Sequence, residues 1–198
     1  MPAYIEVTDP LLNGIAIDAS NQSLIEALIR VASAQIDTYC NRHFTYAEYT
    51  ETLNGNGGGE IIVRNPPIES ITSVTLLYPH SDNIVYDTTY FDFSPELHGG
   101  EIRWAADGSW GSCRGFSRGW RNIVVIYQGG FPVIPDEIKY VTSEIVKQLY
   151  SPELASGLIA AEKLGDYFYK LDKDSQQRLF APVRAILMGY KLNNIPVC

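Results

Sequence analysis

The residue pattern predicts an α+β fold: a small helical bundle from the N- and C-terminal segments, with an antiparallel β-rich region inserted between them. Three observations carry this. Apolar residues recur at helical spacing from Ser23 to about Asn41, and again after Pro135. Between those stretches the period shortens to that of strands, in runs rich in Tyr, Thr, Ile and Val. The runs are separated by Gly, Pro, Asp and Asn, the residues of turns. The expected organisation is an N-terminal arm and helix over 1–44, the β region over 45–131, helices completing the bundle over 132–190, and a C-terminal arm over 191–198.

A chain of 198 residues holds one good-sized domain, or a small domain with an elaborate insertion. Its 45% hydrophobic and 19% charged content excludes a disordered chain. The formal net charge is -8 and unevenly placed. Residues 1–134 hold seven Arg, no Lys and fifteen acids, whereas residues 135–198 balance eight bases against eight acids. Such a chain does not coat nucleic acid non-specifically, because that takes clustered positive charge; an acidic wall still lets DNA slide past. Cys40, Cys113 and Cys198 are odd in number and lack CxxC spacing, which points away from a disulfide framework and towards a reducing compartment. With no basic-plus-apolar leader and no apolar run near the ~20 residues of a membrane span, a soluble cytoplasmic chain is expected.

Residues 1–19, punctuated by Pro2, Pro10 and Gly14, read as an arm or loop, and Ser20 or Asn21 as the cap of the helix that follows. In that helix Ile25, Ile29, Ala32, Ile36 and Tyr39 recur at spacings of four and three. Leu24, Leu28 and Val31 widen the stripe. The stripe reads as buried core, and its outer edge as a candidate subunit contact.

Tyr46 to Leu53 and Glu60 to Arg64 are β-prone runs separated by Asn54-Gly55-Asn56-Gly57-Gly58-Gly59, which reads as a hairpin turn. A phosphate cradle would need GxxxxGK[ST] and a helix to follow, and neither does. Beyond Asn65-Pro66-Pro67, strands are expected at Ile68–Tyr78, Ile84–Tyr86, Tyr90–Phe93, Glu101–Trp104 and Asn122–Gln128. Pro135, followed by Asp136 and Glu137, opens a second helix whose face is Ile138, Val141, Ile145 and Leu149, and Ser151-Pro152 stops it. A short helical piece over Glu153 to Lys163 is expected to end at Gly165. A last helix, capped by Asp174 or Ser175, restarts or kinks at Pro182.

This order of features resembles the head–tail connector (adaptor, or head-completion) proteins of tailed bacteriophages. The resemblance rests on Tyr39-Cys40-Asn41-Arg42-His43-Phe44 at the helix end, then Tyr49-Thr50-Glu51-Thr52-Leu53 with Asn54-Gly55. It continues through Asn65-Pro66-Pro67-Ile68, Ile71-Thr72-Ser73-Val74, Tyr127-Gln128-Gly129-Gly130 and Ile134-Pro135-Asp136-Glu137-Ile138. Glu162-Lys163-Leu164-Gly165-Asp166-Tyr167 and Leu179 to Arg184 close the pattern, so that it spans about residues 20–188. The middle, about 80–121, is richer in strands and loops than the smallest, mainly helical members. The resemblance implies a virion protein forming a ring, commonly of twelve subunits, beneath the portal. Such a ring extends the DNA channel without reading sequence and docks the next neck or tail-completion protein. It implies neither enzyme activity, cofactor nor membrane.

Between Gly108 and Arg121 lie Arg114, Arg118 and Arg121 with Trp110, Phe116 and Trp120, four glycines and no acid. Arg binds phosphate or carboxylate bidentately, so this loop reads as a contact to channel DNA or an acidic neighbour, or else as a loop whose arginines pair with acids nearby. The arm's Lys191, Leu192, Ile195, Pro196 and Val197 have nothing local to bury them; by analogy with the family they are candidates for portal contact. Gly115-Phe116-Ser117-Arg118-Gly119 fits GxSxG, but a strand follows it, and His43, His80 and His98 all precede Ser117, the reverse of a hydrolase order. No histidine or cysteine has metal-ligand spacing. The alternative from another class is a Tyr-rich β module binding a carbohydrate or other small ligand.

Overall fold

The computed structural model describes residues 3–78, 82–94, 100–105, 115–150 and 183–192. It divides into a helical unit, drawn from Met1–Cys40 and Ile134–Lys191, and a β unit centred on Asn41–Val133. The α+β class expected from the pattern is the observed one.

In the helical unit α1 spans Gln22–Cys40 and α2 spans Asp136–Tyr150, and residues 183–190 are also helical. Ile25, Ile29, Ala32 and Ile36 of α1 are buried at 0–1% exposure, as the spacing predicts. Asn21 sits at the cap position, where its carbonyl accepts from Ile25 N–H at 3.0 Å. Its side-chain oxygen turns back to Asp18 N–H at 2.9 Å instead of capping the helix. Asn41 ends α1 at φ 56, the left-handed conformation that Asn tolerates after a helix. Pro135 accepts from the N–H groups of Ile138 and Lys139, so it caps α2 from just outside it.

Two expectations change here. On α2 Leu149 is exposed; Val146 and Thr142 join Ile138, Val141 and Ile145 on the buried face, because two near neighbours widen the stripe toward its middle. The first residues are no loose arm. Tyr4, Ile5 and Leu12 are buried, Tyr4 N–H donates to the Ser33 hydroxyl at 3.2 Å, and the Tyr4 hydroxyl bonds Asp37. Val183, Leu187 and Tyr190 are buried at spacings of four and three, and Tyr190 donates to Glu137 Oε2 at 2.7 Å. The segment 153–182, with its expected short helix and caps, lies outside the described residues.

The β unit has two antiparallel sheets. Strands β1 (Ala47–Gly55), β7 (Gly119–Gly129), β3 (Ile68–Leu76) and β4 (Ile84–Tyr86) lie in the order β1-β7-β3-β4. Strands β2 (Glu60–Ile62), β6 (Glu101–Trp104) and β5 (Phe91–Phe93) lie in the order β2-β6-β5. Strand β7 alternates Ile123, Val125 and Tyr127 into the core, all at 0% exposure. Strand β3 contributes Ile68, Ile71, Val74 and Leu76, a spacing of three, three and two. Two bulges opposite β7, at Ile68/Ser70 and Ile71/Ser73, each insert one residue and keep that uneven series on one face. Ile61 of β2, Ile102 of β6 and Phe91 of β5 meet them in one core cluster with Val63 and Phe116. There Trp104 packs 4.6 Å from Phe91 and 5.6 Å from Phe116, centroid to centroid.

The hairpin expected between β1 and β2 does not form. β1 pairs with β7, from Ala47↔Gly129 to Gly55↔Gly119, and β2 pairs with β6. The glycine-rich stretch therefore connects two sheets instead of turning back within one.

Candidate assembly surfaces

The glycine-rich stretch and the basic loop, read separately in the sequence, form one clasp. Gly57 N–H donates to the Phe116 carbonyl at 2.9 Å, and Phe116 N–H donates to the Gly58 carbonyl at 2.8 Å. Asn122 ties the two strands: its Oδ1 accepts from Gly55 N–H at 2.8 Å and its Nδ2 donates to the Ser117 carbonyl at 2.7 Å. The fit is close enough to require glycine. A Cβ on Gly55 would stand 1.8 Å from the Ser117 carbonyl oxygen, and one on Gly115 would stand 3.0 Å from that of Gly57. The glycines are permissive as expected, but their partner is the Ser117 segment and not a hairpin strand; Asn54, expected in a turn, and Asn122, expected only as the start of a strand, lock the structure.

This clasp holds up a basic aromatic tip. Between Leu53↔Ile123 and Gly55↔Gly119 the register shifts, and the extra residues on β7 include Trp120 and Arg121. Arg121 takes φ 48, held there by its N–H donating to Asn54 Oδ1 at 2.8 Å. Trp120 is 80% exposed, and Arg118 and Arg121 are exposed beside it. Among the described residues neither Arg118 nor Arg121 forms an ion pair. Arg114 lies outside the described residues. A large indole held in water by a rigid loop gains when another surface covers it, and flanking guanidinium groups select an anionic one.

Ser117 sits in this clasp directly before β7, with its hydroxyl 3.2 Å from the Tyr78 hydroxyl, so GxSxG is no nucleophile elbow here. The His43 ring stacks on Tyr49 with centroids 6.2 Å apart, and its backbone N–H donates to Asn65 Oδ1 at 2.7 Å. His80 and His98 lie outside the described residues. No group of three potential metal ligands occurs among the described residues.

Toward the other end of β1, Glu51 points inward and is met by donors. Arg64 N–H approaches both its oxygens at 3.0 and 3.1 Å, Asn65 Nδ2 donates at 3.2 Å, and the Tyr127 hydroxyl donates to it as well. Asn65 N–H in turn donates to the Tyr127 oxygen at 3.1 Å. Burial, and then the charge of Glu51, push the Tyr127 phenol far above the usual tyrosine range. Arg42, also buried, lies 5.0 Å from the Phe44 ring and 5.5 Å from that of Phe131. An open groove of about 530 Å³ is lined by Tyr46, Pro67, Ile68, Glu69, Phe93, Gly130 and Pro132. Among the described lining residues its carboxylate is Glu69, which accepts from the Tyr46 hydroxyl.

On α1, Leu24 and Val31 are exposed at 51% and 46%, and Leu28 is half-buried. The outer edge of the stripe thus lies at the surface. Of the C-terminal arm, Lys191 places its ammonium 5.1 Å from the Tyr39 ring. Leu192 is half-buried, and Ile195, Pro196 and Val197 lie outside the described residues. No helix among the described residues is long and apolar enough to cross a membrane.

Comparison with known proteins places the chain in a family and gives its fold relatives. A family model described as "Head completion protein" matches residues 13–157. No curated protein matches the chain in sequence. Among solved structures, a chain from the neck of an empty GTA particle computed with C6 symmetry is similar, with a TM-score of 0.60 at 11% identity, covering 100% of this chain and 96% of that one. A chain from the virion of a native gene transfer agent particle gives a TM-score of 0.59 at 12% identity, covering 98% and 97%. One from the neck of a native GTA particle computed with C12 symmetry gives 0.55 at 12%, covering 91% and 86%. At these identities the likeness is one of fold.

Proposed function

The chain belongs to the head completion protein family, and from that premise we propose that it is a structural head–tail connector of a tailed phage, prophage or phage-like particle. The family match over residues 13–157 is the observation that carries this reading. The protein assembles with other virion proteins at the head–tail interface. In the finer reading its copies form a ring under the portal, extend the channel through which genomic DNA passes, and dock the next neck component. No reaction is assigned to it, because its role is to join surfaces.

Each surface has a part in this reading. The outer edge of α1, at exposed Leu24 and Val31 with half-buried Leu28, is a lateral contact between subunits. The arm from Lys191 through Val197 gains order against the portal. The tip carrying Arg114, Arg118, Trp120 and Arg121 touches channel DNA or an acidic face of a neighbouring component. The preference of guanidinium groups for anions supports that last assignment, as does the lack of an ion pair at Arg118 and Arg121 among the described residues.

Light scattering with and without the cognate portal protein tests the whole. A portal complex holding many copies is the expected result, and a monomer that ignores the portal refutes it. Replacing Arg114, Arg118 and Arg121 together is expected to leave the fold intact and impair particle assembly or DNA retention. Particles that assemble and keep their DNA would remove the tip's role.

A further inference from the structure

The four-stranded sheet ends in β1 on one side and β4 on the other, and among the described residues neither edge has a second strand partner. Hydrogen bonding fixes which residues face those edges. Leu77 N–H donates to the Asn122 carbonyl at 2.8 Å. Backbone groups alternate sides along a strand, so Asn122 and Val124 of β7 face β3, while Ile123, Val125 and Tyr127 face β1. Their β1 partners Leu53, Glu51 and Tyr49 complete that ladder. Glu48, Thr50 and Thr52 therefore turn their N–H and C=O groups outward. On β3, Thr75 pairs with Val124, so Val74 and Leu76 face Tyr86 and Ile84 of β4. Val85 is left facing the other edge.

Long edge strands are usually blunted by Lys, Pro or a bulge, because an open row of backbone groups recruits another strand. From Ala47 to Leu53, β1 has none of these. Its inward charge, Glu51, is satisfied within the β unit and does not blunt the edge. Of the residues whose backbone faces the two edges, Glu48 carries a charge at the start of β1, whereas Thr50, Thr52 and Val85 are uncharged in a chain of net charge -8, and Val85 is 67% exposed. Successive strands of the sheet alternate in direction, so β1 and β4 run antiparallel. A second copy thus presents, in its β4, the sense and the chemistry that β1 lacks on its open side.

We infer that β1 of one copy pairs with β4 of the next, carrying the sheet across the subunit boundary through Thr50 and Val85. The contact joins two different surfaces, so it repeats around a ring instead of closing a dimer. The inference rests on the ring-forming reading above and adds the contact that closes it.

Thr50→Pro tests it. Proline is tolerated on an edge strand where the lost N–H faced solvent, so the variant removes an outward donor without touching the ladder to β7. Val85→Pro does the same from the other side. Both full-length variants are expected to keep the wild-type circular dichroism and to lose the multi-copy portal complex seen with wild type. In the wild-type ring the amides of Thr50, Thr52 and Val85 are expected to exchange about tenfold more slowly than in the free chain. Full rings from folded Thr50→Pro would overturn the pairing, and so would wild-type rings with unchanged exchange at those amides. The exchange measurement decides the matter even if a variant misfolds. A wild-type chain that remains monomeric beside its portal overturns the connector reading together with the pairing.

Discussion

Tyr127→Phe isolates the polar knot that holds β1, β7 and the Asn65 segment together. The substitution keeps the buried ring and its 5.8 Å contact with Tyr49, so the hydrophobic contribution is unchanged. It removes a hydroxyl that donates to the Glu51 carboxylate and accepts from Asn65 N–H at 3.1 Å. A bond to a charged acceptor contributes about 1.5–3 kcal/mol, and a buried N–H left without its acceptor costs about 1–3 kcal/mol. Because the two overlap, the expected loss is about 3 kcal/mol, or about 6–12 °C in Tm for a chain of this length. Urea titration followed by circular dichroism at pH 7 measures it. The pH dependence gives an independent check. The Tyr127 phenol is raised above its unfolded value of about 10, so its contribution is complete below that pH and is lost as pH rises beyond it. The decline is about 1.4 kcal/mol per pH unit, and the Tyr127→Phe chain lacks it. The Tyr46 phenol, raised by its bond to Glu69, contributes equally to both chains and cancels in the difference. A loss below about 0.5 kcal/mol, or the same alkaline slope in both chains, would refute the assignment of the knot.

Gly130→Ala is expected to unfold or severely weaken the β unit. Gly130 sits at φ 89, and a Cβ there would lie 2.1 Å from the Thr45 carbonyl oxygen, so strain and overlap together exceed about 3 kcal/mol; thermal melting reads the loss. Ile25→Ala, at a site with 0% exposure, should cost about 2–5 kcal/mol in chemical denaturation. Leu24→Ala, one residue away and 51% exposed, should stay within about 0.5 kcal/mol while weakening subunit association. Truncation after Tyr190 is expected to leave the fold intact, lowering the melting temperature by no more than a few degrees through loss of the Lys191–Tyr39 contact, and to abolish portal binding in a pull-down; unchanged binding would remove the arm from the contact.

What could be read from the residues alone was whatever the chain settles locally. The stripe from Ile25 to Ile36 declares its buried face because helix geometry repeats every few residues, and Asn41 and Pro135 mark helix ends by their own dihedral preferences. The positions of the strands and the family resemblance were legible for the same reason. Pairing was not, because a strand's partner is chosen by packing across the whole chain. Asn54 to Gly59 carries the permissive residues of a hairpin turn, and the same permissiveness serves a close approach to Ser117, some sixty residues away. The choice between them belongs to β7, whose buried Ile123, Val125 and Tyr127 take β1 on one side and β3 on the other. The three-residue spacing from Ile68 to Val74 fits no simple strand period until the bulges opposite β7 account for it. The exposed tip at Trp120 likewise depends on partners distant in sequence, Asn54 holding Arg121 and Asn122 holding Gly55 across that register shift.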